Sequence, residues 1–403
     1  MDTINVNSAE DVAEVVRWAA ADEEALEMVG GGTKRGLGHI ATGDGAPHQL
    51  NLSALSGIAL YEPEELVVSA RPGTTVIALE QALATEGQRL AFEPPDWGPL
   101  YGQPIGASTI GGIVGCNLSG PRRLIAGAVR DHVLGLSCVS GRGEEFKCGG
   151  RVVKNVTGYD LCKVLTGSYG TLAAITEVTL RVVPSPARTS TVMVSDLDDA
   201  QGIAVLATAL SGKSEISAAA HIPADVENGC EQSLTAMRLE GPGPSVEERL
   251  NMLGTSHPLE GLKVTILDDG ESGQFWRETR NVVAFANNQN CTLWRLSVPP
   301  SQGPAVTARI SQKVNARWFY DWGGGLIWLE VPEDLSDGGA VLIRDAVAEF
   351  GGHATLVRGA EQIKANFPIF QPQPSALSNL SNHIKKAFDP NGILNPNRMA
   401  RDG

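Results

Sequence analysis

Three consecutive glycines, Gly30-Gly31-Gly32, follow a short apolar run at Leu26–Val29 and lead into Thr33-Lys34-Arg35-Gly36. Residues without a Cβ let the backbone turn tightly, and successive N–H groups can then converge into a concave nest that suits a phosphate. Lys34 and Arg35 add positive charge beside it. Neither G-x-x-x-x-G-K-[ST] nor a G-x-G-x-x-G opening a helix occurs here, so the turn matches neither the triphosphate loop nor the doubly wound dinucleotide fingerprint. Taken alone, a tight turn with a basic tip satisfies the same residues.

Two later stretches share this glycine-rich character. Residues 102–127 are rich in Gly, Ser and Pro and show no helical period. Ile105, Ile110, Ile113, Val114 and Leu118 recur through them, which points to a packed loop, structural or wrapped on a ligand, because a free linker is more polar. Within it, Ser108-Thr109-Ile110-Gly111-Gly112 allows close approach to a flat ring or a diphosphate, and Thr109, Asn117 and Ser119 supply hydrogen-bonding groups. The third stretch is Lys154-Asn155-Val156-Thr157-Gly158-Tyr159-Asp160-Leu161, then Gly167-Ser168-Tyr169-Gly170-Thr171-Leu172, two glycine turns bracketing one short helix.

Local patterns place these stretches on elements. Ser8 is a candidate N-cap for a helix with Val12, Val15, Val16 and Ala19 on one face. Leu66-Val67-Val68 reads as a strand, and Thr74 or Thr75 opens a helix carrying Val76, Leu79 and Leu83, with Gly87 at its end. Residues 132–139 and 145–148 flank Ser140-Gly141-Arg142-Gly143 as a hairpin, and Val178, Leu180 and Val182 alternate with polar residues as a half-buried strand. Pro184-Ser185-Pro186 marks a boundary. Beyond it Ser245 and Glu248 suggest a capping box for a helix closed by Gly254. Strands follow at 293–298, 326–331 and 354–357, with a helix around Ile343, Val347 and Phe350. Leu377, Leu380, Ile384 and Phe388 fall at helical spacing before the turn sequence Asp389-Pro390-Asn391-Gly392.

Composition narrows the function classes. The chain has 403 residues and a net charge of −14, which disfavours nucleic acid and attraction to an anionic membrane. No secretory signal opens it and no run approaches a bilayer span. The expectation is a cytoplasmic protein whose association with the inner face of a membrane, where it occurs, goes through partners. Cys116, Cys138, Cys148, Cys162, Cys230 and Cys291 form no C-x-x-C pair and no cluster with histidine, which reads as reduced thiols rather than a zinc or iron–sulfur site.

Taken together and in order, GGGTK, STIGG…N-x-SGP, VRDHVLG, GG-x-VVKNVTGYDL and GSYGTL-x-x-IT resemble the FAD-binding domain of the vanillyl-alcohol oxidase / p-cresol methylhydroxylase type over about residues 1–186. The phrases EPPDWG, SGPRR and GGHATLVRG resemble those of the E-type FAD-binding subunits of bacterial glycolate oxidase (glycolate dehydrogenase), and FDPNGILNP resembles the closing segment of FAD-linked 2-hydroxy-acid oxidases. The resemblance implies an α+β fold: a two-lobed FAD-binding domain over 1–186, with lobes of about 1–54 and 55–186, a C-terminal α+β cap domain of ferredoxin-like character over 187–376, and a segment over 377–403 returning to the FAD domain. It implies non-covalent FAD cradled at the pyrophosphate by Gly30, Gly31, Gly32, Thr33 and Lys34. Ser108, Thr109, Gly111 and Gly112 would lie along the pyrophosphate and the isoalloxazine edge, with Asn117 and Ser119 on the same wall. Gly170 and Ile175 would present backbone near the adenine, and Asn395 and Pro396 would bring the tail against the flavin. The implied activity is oxidation of glycolate to glyoxylate, with a sister FAD-containing catalytic subunit and an iron–sulfur subunit as partners.

The chain also departs from that family. Thr33 stands where covalent flavoproteins often place histidine, so attachment there is excluded. The H-x-x-H pair and G-D-G-N-x-H segment of catalytic 2-hydroxy-acid dehydrogenases are absent: no two of His39, His48, His132, His221, His257, His353 and His383 fall at that spacing, and Gly43-Asp44-Gly45 lies in the other domain. The catalytic base is therefore unassigned. His353 is a weak candidate, Asp160 reads as a helix cap beside Tyr159, Arg122-Arg123 as a carboxylate clamp or a solvated pair, and Trp318-Phe319-Tyr320-Asp321-Trp322 as core or interface. Three readings stay open: a flavin-carrying subunit of a complex, a self-sufficient FAD-dependent hydroxy-acid oxidoreductase, and a structural subunit with a vestigial flavin site.

Overall fold

Ser8 opens the first helix of the computed structural model, which describes residues 2–39, 46–151, 159–226, 231–255, 259 and 261–400. Its hydroxyl accepts from the Asp11 amide at 3.1 Å while the Asp11 carboxylate accepts from Ser8 N at 3.1 Å. This reciprocal capping box satisfies two amides that a helix start leaves open. The helix, α1 (Ala9–Asp22), buries Val12, Ala13, Val16 and Ala19. They share a core with Leu26 and Leu50, which belong to β2 (Leu26–Val29) and β3 (His48–Asn51). With β1 (Thr3–Asn5) these strands form a parallel sheet in the order β1-β3-β2.

A second, antiparallel sheet lies within residues 58–181. Chain order gives β4 (Ile58–Glu62), β5 (Val67–Ala70), β6 (Gln88–Arg89), β7 (Val133–Ser140), β8 (Glu145–Gly149), β9 (Ala173–Arg181) and β10 (Val183–Pro184). The sheet order is β4-β5-β9-β7-β8, and β6 pairs with β10 apart from it. The expected hairpin is the β7–β8 connection, closed by Ser140 N donating to Glu144 O at 2.9 Å. β9 departs from the half-buried expectation: Thr176 and Thr179 are buried along with Val178 and Leu180. Its polar alternation survives because Thr179 Oγ1 shares a hydrogen bond of 2.7 Å with Ser69, and a satisfied hydroxyl tolerates burial.

Thr75 caps α2 (Val76–Ala84), whose Val76, Leu79 and Leu83 are buried. The stretch 102–127, expected to lack helix, holds α3 (Ile110–Cys116) and α4 (Arg123–Ala126). Its glycines weaken intrinsic helix propensity, but Ile110, Ile113 and Val114 occupy i, i+3 and i+4 and are fully buried, so tertiary burial holds the helix. α5 (Leu161–Leu165) is capped by the Asp160 carboxylate, which accepts from Lys163 N at 3.3 Å, as its sequence suggested.

The chain divides into two units. One comprises Met1–Ser119, Gly127–Ser185 and Pro372–Gly403, the other Gly120–Ala126 and Pro186–Gln371. Gly120–Ala126 thus groups with the second unit although its sequence lies inside the proposed 1–186 domain, because Trp322 Nε1 donates to Gly120 O at 3.1 Å and the Arg123 guanidinium lies over the Trp322 ring.

In the second unit β11 (Arg188–Ser195), β12 (Ala218–Ile222), β13 (Leu234–Gly241), β14 (Val264–Leu267), β15 (Thr292–Ser297), β16 (Arg317–Asp321), β17 (Leu326–Val331) and β18 (His353–Arg358) form an antiparallel sheet ordered β14-β11-β13-β12-β16-β17-β15-β18. The helices are α6 (Asp199–Ser211), α7 (Gly243–Thr255), α8 (Asp269–Asn281), α9 (Gly303–Ser311), α10 (Ala340–Glu349) and α11 (Glu361–Asn366). Leu206, Val246, Val306 and Val347 from four of them share a core with Trp294, Tyr320 and Leu329. α7 starts at Gly243, so Ser245 is an interior helical residue and not a cap, and Gly254 lies within the helix.

The final helix, α12 (Ser375–Phe388), belongs to the first unit. The expectation that its apolar positions pack on the flavin domain holds only at its end. Leu377 and Leu380 are 51% and 55% exposed, whereas the Phe388 ring meets Phe146 at 5.9 Å and Phe388 O accepts from Gly141 N at 3.0 Å. After the predicted turn Ile393 and Leu394 enter the core of α1, β2 and β3. Gly43-Asp44-Gly45, residues 154–158, Cys230 and His257 lie outside the described residues. Among the described residues no helix is long and apolar enough to cross a membrane.

Candidate functional site

The glycine turn begins where β2 stops, and its shape depends on missing side chains. A Cβ on Gly31 would overlap the Ala107 carbonyl oxygen, one on Gly30 would lie 2.6 Å from Thr109 Oγ1, and Gly32 sits at φ +71°. Among the described residues the amides of Gly31, Gly32 and Thr33 find no acceptor. Backbone N–H groups in a fold are almost always satisfied. A run of open donors on a groove wall suits an anion, and these three residues line the groove.

Lys34 stands behind this seat. It is 8% exposed, and its Nζ donates to Thr33 Oγ1 at 3.0 Å and to Ser108 Oγ at 2.5 Å. Burial pulls its pKa from 10.5 down to about 8, against the opposing pull of Cys116 and Asp96. The hydroxyls position the amine without neutralising it. The loop is clamped from below. Arg35 donates to the buried Glu27 carboxylate at 3.0 and 2.6 Å, which holds the guanidinium pKa above its usual value, and Arg398 Nη1 stands 3.6 Å from Glu27 Oε1. Arg398 Nη2 also donates to Lys34 O at 2.8 Å and Arg35 O at 2.9 Å.

Around the groove, α3 supplies one wall. Its first amides are occupied, Ile110 N donating to Thr74 O and Gly111 N to Pro72 O, both at 2.9 Å. Those two amides are not open to a ligand, whereas the Gly112 amide finds no acceptor among the described residues. Thr109, Gly111, Gly112, Gly115 and Cys116 line the groove there. A Cβ on Gly112 would meet Lys34 Cδ only at 3.5 Å, so a larger group there would occupy space a ligand needs. The opposite wall is Tyr169, Gly170, Ala173 and Ile175. It is tied to α3 by Gly167 N donating to Val114 O and Tyr169 N to Gly115 O, at 3.0 and 2.8 Å.

Asn395 joins these walls. Its Nδ2 donates to Tyr169 O at 2.7 Å, its Oδ1 accepts from Met28 N at 2.8 Å, and its own amide donates to Leu26 O at 2.9 Å. Of the residues singled out in sequence, Gly30, Gly31, Gly32, Thr33, Lys34, Thr109, Gly111, Gly112, Gly170, Ile175 and Asn395 line one groove. Ser108 reaches it through Lys34. Asn117 and Ser119 do not line it: Asn117 Oδ1 accepts from Arg130 N at 3.2 Å and Ser119 Oγ from Val129 N at 3.0 Å. Their polarity serves the turn after α3.

Sequence reasoning missed Arg398, Glu27 and Tyr169. The available signal was Glu27, a carboxylate inside the otherwise apolar Leu26-Glu27-Met28-Val29. A buried charge requires a partner, although nothing local says that the partner lies near the C-terminus. In the second unit, another set was missed. Asp199 Oδ2 accepts from Tyr320 Oη at 2.6 Å and Trp318 Nε1 at 2.8 Å, and its Oδ1 stands 3.3 Å from His221 Nε2. Burial works to raise the Asp199 carboxyl, yet His221, Tyr320 and Trp318 together hold it below its ordinary range, while burial and the Asp199 charge push the Tyr320 hydroxyl up. His221 Nδ1 is also bonded, to Thr235 Oγ1 at 2.8 Å. A network so fully satisfied is a structural element of the sheet.

Residues 3–149 match the model of the FAD-binding domain family. Glycolate oxidase subunit GlcE of Escherichia coli is 33% identical over 96% of this chain and 95% of its own length. The D-2-hydroxyglutarate dehydrogenase of Stutzerimonas stutzeri is 25% identical over 97% of this chain and 89% of its own. The fold is that of p-cresol methylhydroxylase with substrate bound, at TM-score 0.74 and 15% identity over 99% of this chain and 88% of that one. FAD is the cofactor, and the groove suits it: open amides and a buried lysine line it together with glycines. Two-electron redox at the flavin ring is the chemistry FAD supplies when bound. With 33% identity to GlcE across nearly both whole chains, this chain belongs to the family of FAD-linked oxidoreductases that includes the glycolate oxidase subunit GlcE.

Proposed function

We propose that this chain is the FAD-binding subunit of a glycolate dehydrogenase (oxidase) complex that oxidises glycolate to glyoxylate and passes electrons to an iron–sulfur partner. The observation that carries this reading is the near full-length identity to GlcE joined to a groove whose open amides and buried Lys34 suit a dinucleotide diphosphate. An iron–sulfur cluster needs several thiolates held together. Among the described residues no group of three or more His, Cys, Asp or Glu stands ready to hold a metal, so this reading assigns the cluster to another chain.

The guanidinium groups of Arg123 and Arg295 lie 4.6 and 5.0 Å from the Trp322 ring centroid, and burial, then Arg295 and Arg123, lowers the pKa of His353.

Removal of a C2 hydride also requires a base for the hydroxyl proton. Asp199, His221 and Tyr320 are engaged with one another, and the histidine pairs of catalytic hydroxy-acid dehydrogenases are missing. These observations favour a division of labour in which a sister FAD subunit takes the hydride and this chain's flavin relays electrons. Anaerobic addition of glycolate to the purified chain separates the readings. A yellow protein that stays oxidised until a sister subunit is added supports the relay. Bleaching of the chain alone supports a self-sufficient 2-hydroxy-acid oxidoreductase. A colourless protein that takes up no FAD would overturn the flavin role and leave an assembly subunit.

A further inference from the structure

Outside the flavin groove, two thiols face each other. Cys148 lies in β8 and Cys162 in α5, and their Sγ atoms are 3.5 Å apart. Space for this approach comes from Gly149, left-handed at φ +67°, where a Cβ would overlap the Leu134 carbonyl oxygen and stand 2.7 Å from Cys162 Sγ. A side chain at that position would drive the sulfurs apart. A disulfide needs about 2.05 Å between sulfurs, so a short movement of α5 or of either side chain closes the gap.

The two thiols are not equivalent. Cys162 is buried and Cys148 half-buried, so an oxidant in solvent meets Cys148 first. The hydrogen bond between them holds the Cys148 thiol below its ordinary pKa; that bond and burial push Cys162 up. Cys138, further inside the same sheet, is pushed up by burial and remains a thiol. Thiolates, not thiols, react with peroxides. Metal binding does not explain the pair, because no third ligand converges on it among the described residues.

We propose that Cys148 and Cys162 are a reversible dithiol–disulfide site that reacts with hydrogen peroxide, Cys148 being oxidised first and Cys162 resolving it. The Cys148 thiolate attacks one oxygen of the peroxide; the O–O bond breaks, hydroxide leaves, and sulfur becomes the sulfenic acid. Cys162 sulfur then attacks that sulfur, its proton goes to the departing oxygen, and water leaves as the S–S bond forms. In sum, two thiols lose two electrons and two protons while one peroxide becomes two waters. The bond ties β8 to α5, which leads within a few residues to Tyr169 and Gly170 on the groove wall. This inference is independent of the identity of the hydroxy acid.

The test treats FAD-loaded full-length protein with a small excess of hydrogen peroxide, quenches it with catalase, and maps thiols by alkylation and mass spectrometry. The expected result is a Cys148–Cys162 cross-link, 2 Da lighter than the two free thiols, that dithiothreitol reverses. Cys162→Ser is expected to stop at a sulfenic acid on Cys148 that dimedone traps, and Cys148→Ser to leave Cys162 reduced. The flavin spectrum of each variant checks that it is folded. Full alkylation of both cysteines in peroxide-treated, yellow wild type would overturn the proposal. So would equal oxidation of Cys162 in Cys148→Ser.

Discussion

Lys34 carries the clearest pH dependence at the scale of a single residue. Its pKa falls from 10.5 to about 8 through burial. A folded-state pKa below the unfolded value means that the charged lysine is penalised in the fold at neutral pH, by about 3 kcal/mol from the shift. This penalty is relieved as pH rises from about 8 towards 10.5. The charge is what a diphosphate needs, so FAD affinity should weaken as pH rises through about 8. Fluorescence titration of apoprotein with FAD between pH 6.5 and 9.5 should show the weakening, and Lys34→Met should flatten it while binding ~10- to 100-fold more weakly, the worth of a hydrogen bond to a charged group. The same variant should melt at a higher temperature without FAD. Gly112→Asp places a carboxylate beside the Lys34 amine, whose Nζ is 3.6 Å from where the Cβ would lie. Its protein should fold yet emerge colourless; full flavin occupancy would mean the α3 wall is not the cofactor's.

The elements of the site are held together by their ends. β2 runs into the glycine turn, α3 packs through Ile110, Ile113 and Val114, and the final segment bonds both Leu26 and Tyr169. The turn after α12 is fixed by Asp389, whose buried carboxylate accepts from Ile393 N at 3.2 Å and Leu394 N at 2.8 Å and pairs with Lys385. Lys385 Nζ also donates to Thr171 O at 2.7 Å and Leu394 O at 3.1 Å. Asn395→Ala removes the acceptor of the Met28 amide and the donor to the Tyr169 carbonyl, two part-buried bonds. Losing a hydrogen bond costs about 0.5–1.5 kcal/mol. The expected result is a lower melting temperature and faster loss of FAD on dilution. An unchanged off-rate would show that the two walls hold their spacing without this bridge.

At the scale of the whole molecule, each unit has its own apolar core, one built around Val12, Leu26, Leu50 and Leu394 and the other around Trp294, Tyr320 and Leu329. Separate cores predict separate cooperativity. Calorimetry of the full chain should resolve two transitions. Excess FAD should raise only the transition of the first unit, by about 2.7 kcal/mol of added stability at 100 times its dissociation constant. A single transition, or a shift in both, would show that the units unfold as one.

Much of the candidate groove was legible because its glycine-rich walls are written in local runs. Gly30-Gly31-Gly32, Ser108 to Gly112 and Gly167 to Gly170 are constrained by backbone geometry, and such constraints show in the residues themselves. The helix inside residues 102–127 was not legible, because its glycines hide a periodicity that only burial enforces. Asn117 and Ser119 looked like ligand groups because hydroxyl and amide side chains serve backbone turns and ligands alike. What the amino-acid order by itself determined was the flavin-binding character of the first half and the capping of α1, α2 and α5. Folding decided which donors stay open and which carbonyls α3 occupies. It also decided that Arg398 meets Glu27 across 371 positions of chain, and that Cys148 meets Cys162. These are long-range pairings: the chain must close on itself before either partner has anything to meet, and no short window of residues encodes that closure.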